Sequence, residues 1–176
     1  NANFLAVSGQ VLSSAAMLNG ELCLGFPSVN GWGVGRISFV EDSQRWYWTS
    51  TKVYLQKANT VAERNVESGY VAGADFDGLL NARVNDVAMT VLPNTPINPS
   101  TGLPVPTLAV GTFGGVHIIK HDEDTFETAT STAKIIKVNF TDDNGLNATI
   151  TNSDGNNQAC VYVNELDTLN GLSYAT

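Results

Sequence analysis

The region from residue 84 to residue 120 constrains the fold more than any other part of the chain. It contains three short apolar runs, Asp86–Leu92, Pro106–Val110 and Val116–Lys120. A stretch rich in Pro, Asn, Ser and Gly separates the first two runs, and two adjacent glycines separate the second from the third. Short apolar runs bounded by turn-forming residues are typical of β-strands, since helices need longer periodic segments. The region therefore predicts strands joined as hairpins, and it contains no catalytic motif.

Similar runs occupy much of the remaining chain, with strong turn signals between some of them. Asn30-Gly31, residues 143–145 (Asp-Asn-Gly) and residues 154–156 (Asp-Gly-Asn) are of the kind that closes tight hairpins. Many short strands at close spacing predict an all-β fold, either an antiparallel sandwich of jelly-roll type or a propeller-like meander. The further predicted strands are Phe4–Val7, Glu21–Phe26, Arg36–Glu41, Trp46–Thr49, Lys52–Gln56, Lys134–Phe140, Asn147–Thr151 and Ala159–Val163.

At most one short helix is expected. Residues Ala58–Ser68 contain Thr60 followed three positions later by Glu63, the spacing of a capping box, and end before Gly69. A single helix and an irregular loop fit this segment equally well. Val11–Leu18 stays undecided, with a short helix as one alternative.

The length of 176 residues allows one large domain or two small ones. We divide the chain into a β-rich part, residues 1–83, and a hairpin-rich part, residues 84–176. One continuous domain that spans both parts is the alternative.

The charge balance limits the partners that this chain can bind. Nine basic and seventeen acidic residues give a net charge of −8. An acidic surface repels phosphate backbones and anionic lipids, so a nucleic-acid partner is not expected. No apolar run approaches the roughly 18 residues that a membrane-spanning helix requires, and no membrane span is expected.

The sequence offers no metal site, no cofactor motif and no catalytic set. Cys23 and Cys160 are predicted to be buried free thiols, with a disulfide between them as the alternative. His117 and His121 are four residues apart in a predicted strand, about 13 Å from each other, which is too far to chelate one ion. The Asp-rich turns lack the full ligand set of a calcium loop. We therefore expect a protein that is not an enzyme and carries no metal or cofactor.

Aromatic residues are concentrated in one short part of the chain, at Trp46, Tyr47, Trp48 and Tyr54. Alternation along a strand directs Trp46 and Trp48 to one face and Tyr47 to the other. If only one face is buried, the other aromatic set is exposed and available to a glycan or to another subunit. If the indoles are part of the core, Tyr47 points to a neighbouring subunit or to solvent. These four residues are the predicted contact site.

Residues Asn85–Lys120, with NDVAMTVLPN followed by GLPVPTLAVGTFGGVHIIK, resemble a segment of phage structural proteins of the tail-fibre-like type, often from marine phages. A looser similarity extends to RISFVEDS and AERNVESGY. Phe113 and the HDEDTF stretch depart from the family pattern, which has a polar turn residue and a shorter turn, so a longer hairpin is expected here. The resemblance implies an oligomeric virion component built of β-modules, without a cofactor, and it transfers no functional residue.

The expected function follows from the absence of a catalytic motif together with this resemblance. We expect a structural or adhesive subunit of a virion or extracellular assembly, forming homo-oligomers and located on the virion or outside the cell. The alternative is a carbohydrate-binding module that uses exposed aromatic residues, with a host surface glycan as partner. A hydrolase would require two carboxylates facing each other in a cleft, and the sequence does not nominate such a pair.

Overall fold

The computed structural model describes residues 11–27, 33–49, 53–57, 71–73, 78–121, 125–129, 133–152 and 158–163. Within these ranges the chain forms thirteen β-strands and no helix. The strands are β1 (Ser14–Leu18), β2 (Glu21–Gly25), β3 (Val34–Ser38), β4 (Ser43–Tyr47), β5 (Val53–Lys57), β6 (Val71–Gly73), β7 (Val84–Thr90), β8 (Thr107–Thr112), β9 (Gly115–Ile119), β10 (Thr125–Ala129), β11 (Ala133–Phe140), β12 (Leu146–Asn152) and β13 (Gln158–Val163).

The strands form three antiparallel sheets, each a simple meander. The first sheet has the order β1-β2-β3-β4-β5-β6, the middle sheet β10-β9-β8-β7 and the third sheet β11-β12-β13. All the paired strands run antiparallel. The all-β prediction is therefore confirmed. In the described part of the chain, no helix is long and apolar enough to cross a membrane.

The middle sheet is buried on both faces because it lies between the other two sheets. Along β8, Leu108 and Val110 belong to the core shared with the first sheet, whereas Ala109 belongs to the core shared with the third sheet. Side chains alternate across a strand, so a single strand supplies both cores. Face-to-face packing of antiparallel sheets is the arrangement of a β-sandwich, here with three layers.

In the first sheet, β2, β3 and β4 are also buried on both faces. Its inner face, towards the middle sheet, contributes Cys23, Val34 and Tyr47 to the shared core. Its outer face carries a separate cluster that includes Phe26 and Trp46, whose ring centroids are 5.6 Å apart. Burial on two sides explains why apolar residues occur on both faces of these strands, Cys23 and Tyr47 on the inner face and Leu24, Ile37 and Trp46 on the outer face.

One carboxylate joins strands from all three sheets. Asp86 on β7 accepts a hydrogen bond from the Ser14 hydroxyl on β1 at 2.6 Å and from the Val138 backbone N–H on β11 at 2.9 Å. The Asp86 side chain is buried. Because it satisfies donors from two other strands, Asp86 fixes the position of the three sheets relative to one another.

The segment Val11–Leu18 contains a strand, so the helical alternative is wrong there. β1 pairs with β2 through the two-residue turn Asn19-Gly20, whose φ angles are 51° and 82°. Positive φ at both turn residues is the signature of a type I′ hairpin, for which Asn-Gly is the favoured pair. The Asn19-Gly20 pair could have identified this hairpin from the sequence.

Several other predictions can be compared with the structure. The turn at residues 141–145 is confirmed, because Thr141 N–H donates to the Gly145 carbonyl and Asn144 has a φ of 63°. β6 and β10 were not predicted. The predicted strand Phe4–Val7, the Ala58–Ser68 segment and the turns at Asn30-Gly31 and 154–156 lie outside the described residues.

Candidate functional site

The inner face of the first sheet changes from apolar to polar along its strands. Beyond Cys23, Val34 and Tyr47, the same face of β2, β3 and β4 presents five polar residues. Glu21, Ser38 and Ser43 lie side by side across the three strands, since Ser38 pairs with both of the others. Arg36 and Arg45 form the neighbouring pair on the same face, two residues away along β3 and β4. We call this surface the polar floor; it consists of Glu21, Arg36, Ser38, Ser43 and Arg45.

A buried ion pair anchors the polar floor. Arg36 Nε lies 2.5 Å from Glu21 Oε2, and the two side chains are only 4% and 9% exposed. Arg36 Nη2 also donates a hydrogen bond to the Pro106 carbonyl at 3.2 Å. Burial of a charged pair removes it from water at a cost that only good geometry and further hydrogen bonds offset. The Arg36 guanidinium therefore has a fixed position at the base of the site.

The loop that separates β7 from β8, residues 91–106, contains an ordered lobe at residues 93–106. Ile97 and Pro104 form a β-bridge, and Val105 N–H donates to the Pro96 carbonyl at 3.0 Å. The Asn98 side chain accepts a hydrogen bond from the Ser100 backbone N–H at 2.8 Å, as in an Asx turn. The Pro-, Asn- and Ser-rich composition that predicted a loop thus builds a small hairpin-like structure.

Hydrogen bonds attach the lobe to the turns of the first sheet. Asn98 Nδ2 donates to Glu41 Oε1 at 2.8 Å, and Asn19 Nδ2 donates to the Pro104 carbonyl at 2.7 Å. The turn Asn19-Gly20, the turn at residues 39–42 and the lobe therefore meet at one end of the molecule. We call this region the loop end.

A cleft of about 300 Å³ lies between the polar floor and the lobe. Its walls include Glu41 from the turn at residues 39–42 and His121, which follows β9. The lobe contributes Pro96, Ile97, Asn98, Pro99 and Val105. Two arginines and two glutamates balance each other in the cleft, next to hydroxyl and amide groups. Such a cleft offers hydrogen-bond donors and acceptors in fixed positions, with an apolar wall on the lobe side.

Exposed apolar side chains surround the loop end. Met17, Phe39, Val40, Ile97 and Leu103 are each between 45% and 64% exposed. The turn and the lobe are close here, because a Cβ atom on Gly20 would lie 3.3 Å from Val40 Cγ2 and 3.9 Å from Thr101 Cγ2. We call these five side chains the apolar rim. Ile97 belongs both to the rim and to the wall of the cleft.

The predicted aromatic contact site is not an exposed platform. Trp46 is 7% exposed and Tyr47 is fully buried, since both faces of β4 are covered. Trp48 is half-buried and packs against the outer cluster. The expectation of an exposed aromatic residue assumed that only one face of this strand is buried, whereas the structure buries both faces. The Tyr54 side chain lies outside the described residues.

The two histidines have different environments. His117 on β9 is fully buried, and its Nδ1 lies 2.9 Å from Glu127 Oε1 on the paired strand β10. His121 lines the cleft, where the sequence did not place it. Among the residues that the structure describes, no three His, Cys, Asp or Glu side chains are arranged to hold a metal ion.

Cys23 is a free and buried thiol. Burial raises the pKa of the Cys23 thiol from 9.0 to about 12, because the thiolate would lose its hydration, while the nearby Arg36 charge acts in the opposite direction. The thiol is therefore neutral and acts as a small apolar side chain, as predicted. The Cys160 side chain lies outside the described residues.

No local sequence pattern points to the residues of the cleft as a group. The available signal was Glu21 and Arg36, which are charged residues in the predicted apolar strands Glu21–Phe26 and Arg36–Glu41. Charged side chains are rarely buried unless they are paired, so their position in buried strands indicates a polar site. Glu41 and Asn98 come together only through the path of the lobe.

Comparison with known proteins identified no relative of this chain. No protein-family model, no curated protein and no solved structure matches this chain.

Proposed function

We propose that this chain is a structural or adhesive subunit of a virion or extracellular assembly, without a catalytic role. It contacts other copies of itself through the loop end. The observation that carries this proposal is the apolar rim. The virion setting is supported by the resemblance of residues Asn85–Lys120 to phage structural proteins, and the contact surface is supported by the exposed residues.

Single exposed apolar side chains are ordinary on protein surfaces. The rim differs because large exposed side chains come from three neighbouring parts of the chain: Met17 near the end of β1, two residues of the turn at residues 39–42, and two residues of the lobe. Contiguous exposed apolar surface rimmed by polar groups marks sites of association. Burial of the rim by another copy would remove this surface from water, and that is the driving force for association.

The carboxylates of the cleft favour binding over catalysis. Glu21 Oε2 is engaged by Arg36 Nε, and Glu41 Oε1 accepts the hydrogen bond of Asn98 Nδ2. A glycosidase pair needs one carboxyl group free to donate a proton and the other free to act on the sugar or on water. Here both groups hold neighbouring parts of the protein in place.

Native mass measurements test the role of the rim. Light scattering of the 176-residue chain is expected to give a mass above the 18.7 kDa of one copy, rising with concentration. The double variant Phe39→Ser/Val40→Ser is expected to shift this equilibrium to single copies. Val11→Ser is the matched control, since Val11 is 73% exposed but lies outside the loop end.

Two results would contradict the proposal. One is a wild-type protein that stays a single copy at all concentrations. The other is an assembly that Val11→Ser weakens as much as the rim variant does.

The second candidate function, carbohydrate binding, is favoured by the cleft instead of the aromatic residues. Trp46 is packed against Phe26 in the outer cluster, so the loss of Trp46 would disturb folding before it disturbed binding. The cleft, by contrast, is lined by polar groups beside an apolar wall.

A further inference from the structure

We propose that the cleft at the loop end binds one unit of a neutral saccharide. This inference rests on the proposed function and deepens it, because it assigns an adhesive ligand to the same end of the molecule. The charge, the hydrogen-bonding groups and the size of the cleft all suit such a ligand.

Charge favours a ligand without a net charge. The two arginines of the polar floor are matched by Glu21 and Glu41, so the Arg and Glu charges that line the cleft cancel. The net charge of −8 on the chain repels anions at longer range. An anionic ligand would also have to approach the two carboxylates.

The hydrogen-bonding groups suit a hydroxyl-rich ligand. Each sugar hydroxyl both donates and accepts, and carboxylates, guanidinium groups, amides and hydroxyls offer the complementary partners. Ser43 and Arg45 lie on the floor, while Glu41 and Asn98 lie on the wall. Ser43 and Asn98 are buried and Arg36 is held at two points, so these groups lose little freedom when a ligand binds.

Size and shape limit the ligand to a small one. A volume of about 300 Å³ is at the lower end of the range for ligand sites. It admits one sugar ring with its nearest water molecules, whereas a longer chain would extend over the rim. Pro96, Ile97 and Pro99 form an apolar wall that can cover the C–H groups of the ring.

Saturation-transfer NMR on the 176-residue chain tests this assignment. The neutral probes are glucose, galactose, mannose, N-acetylglucosamine, lactose and maltose. The comparison probes are the anionic sugars glucuronic acid and N-acetylneuraminic acid, and the zwitterions leucine and proline. We expect saturable binding of at least one neutral sugar and weaker or no binding of the comparison probes.

Two variants and two controls locate the binding. Ser43→Ala and Arg45→Met each remove a hydrogen-bonding group of the floor and leave the Glu41–Asn98 hydrogen bond of the lobe in place, and they are expected to weaken the affinity roughly tenfold or more. Asp142→Ala and Lys137→Met are matched controls on exposed parts of the third sheet and its turn, and they are expected to leave the affinity unchanged. Circular dichroism and the thermal midpoint show that each variant is folded.

The outcomes separate this inference from the proposed function. The inference is overturned if no neutral sugar binds at millimolar concentration, if only charged probes bind, or if both cleft variants bind as well as the wild type. In each case an intact rim-dependent assembly would leave the proposed function standing. Hydrolysis of lactose or maltose would support the saccharide assignment and overturn the absence of catalysis.

Discussion

Removal of one partner of the Glu21–Arg36 ion pair is expected to destabilise the protein strongly. In Arg36→Met the Glu21 carboxylate stays in a buried position without its cation, and the hydrogen bond to the Pro106 carbonyl is lost as well. Breaking a buried ion pair by removing one partner costs about 3–5 kcal/mol. The side chains are 4% and 9% exposed, so solvent screening reduces this figure little.

The same reasoning predicts that the double variant Glu21→Leu/Arg36→Met recovers most of the loss. Apolar residues of similar volume fill the space and leave no buried charge, so the double variant is expected to lie within about 1 kcal/mol of the wild type. The coupling energy of the pair is the change in unfolding free energy of the double variant minus the sum of the changes in the two single variants. A large coupling energy is the specific signature of a buried pair.

Urea unfolding followed by tryptophan fluorescence measures these free energies, since Trp46 is buried in the sheet that carries the pair. In a domain of this size, 1 kcal/mol corresponds to about 2–4 °C in Tm, so Arg36→Met is expected to lower Tm by about 6–20 °C. A loss below about 1 kcal/mol would place the pair at the solvent-exposed surface. This result would refute the burial of the polar floor.

Three further predictions concern the packing of the sheets and the thiol. Gly111→Ala places a Cβ atom 2.8 Å from Ile135 Cγ2 between the middle and third sheets. This overpacking is expected to lower the free energy of unfolding in urea by about 1–3 kcal/mol. An unchanged urea midpoint would contradict the close packing of these two sheets. Asp86→Ala leaves the buried N–H of Val138 without its acceptor and is expected to lower the free energy of unfolding by about 1–3 kcal/mol. Asp86→Asn retains an acceptor and is expected to lower it less. Equal losses of unfolding free energy in the two variants would mean that the hydrogen bond is unimportant. Because the pKa of Cys23 rises from 9.0 unfolded to about 12 folded, its contribution to stability is complete below pH 9 and falls by up to about 1.4 kcal/mol per pH unit as the pH rises towards 12. The Cys23→Ala variant lacks this fall. If the unfolding free energies of the two proteins changed in parallel between pH 9 and pH 12, the burial of the thiol would be contradicted.

The local sequence predicted most of the strands because they combine apolar runs with turn residues. The three runs between residues 84 and 120 correspond to β7, β8 and β9, with ends that differ by one or two residues. The two adjacent glycines and the Asp-Asn-Gly turn occur where hairpins close. β6 and β10 were missed because short strands depend on their neighbours in a sheet more than on their own composition.

The layers and the site depend on contacts that are distant in the sequence. The assumption of one buried face led to the prediction of an exposed aromatic residue at Trp46 or Tyr47, whereas each of the two has a core of its own. The site joins Arg36 to Pro106, and Glu41 to Asn98, over separations that no local pattern encodes. Residue type indicated a polar site, but only the fold assembles it.

Hydrogen–deuterium exchange at two protein concentrations tests the central claim that the loop end is the contact surface. At the higher concentration we expect slower exchange in peptides that cover residues 39–42 and 96–105. The turn at residues 141–145, outside the loop end, is expected to exchange at the same rate in both samples. Equal exchange of the loop end at both concentrations, or protection only at residues 141–145, would contradict the claim.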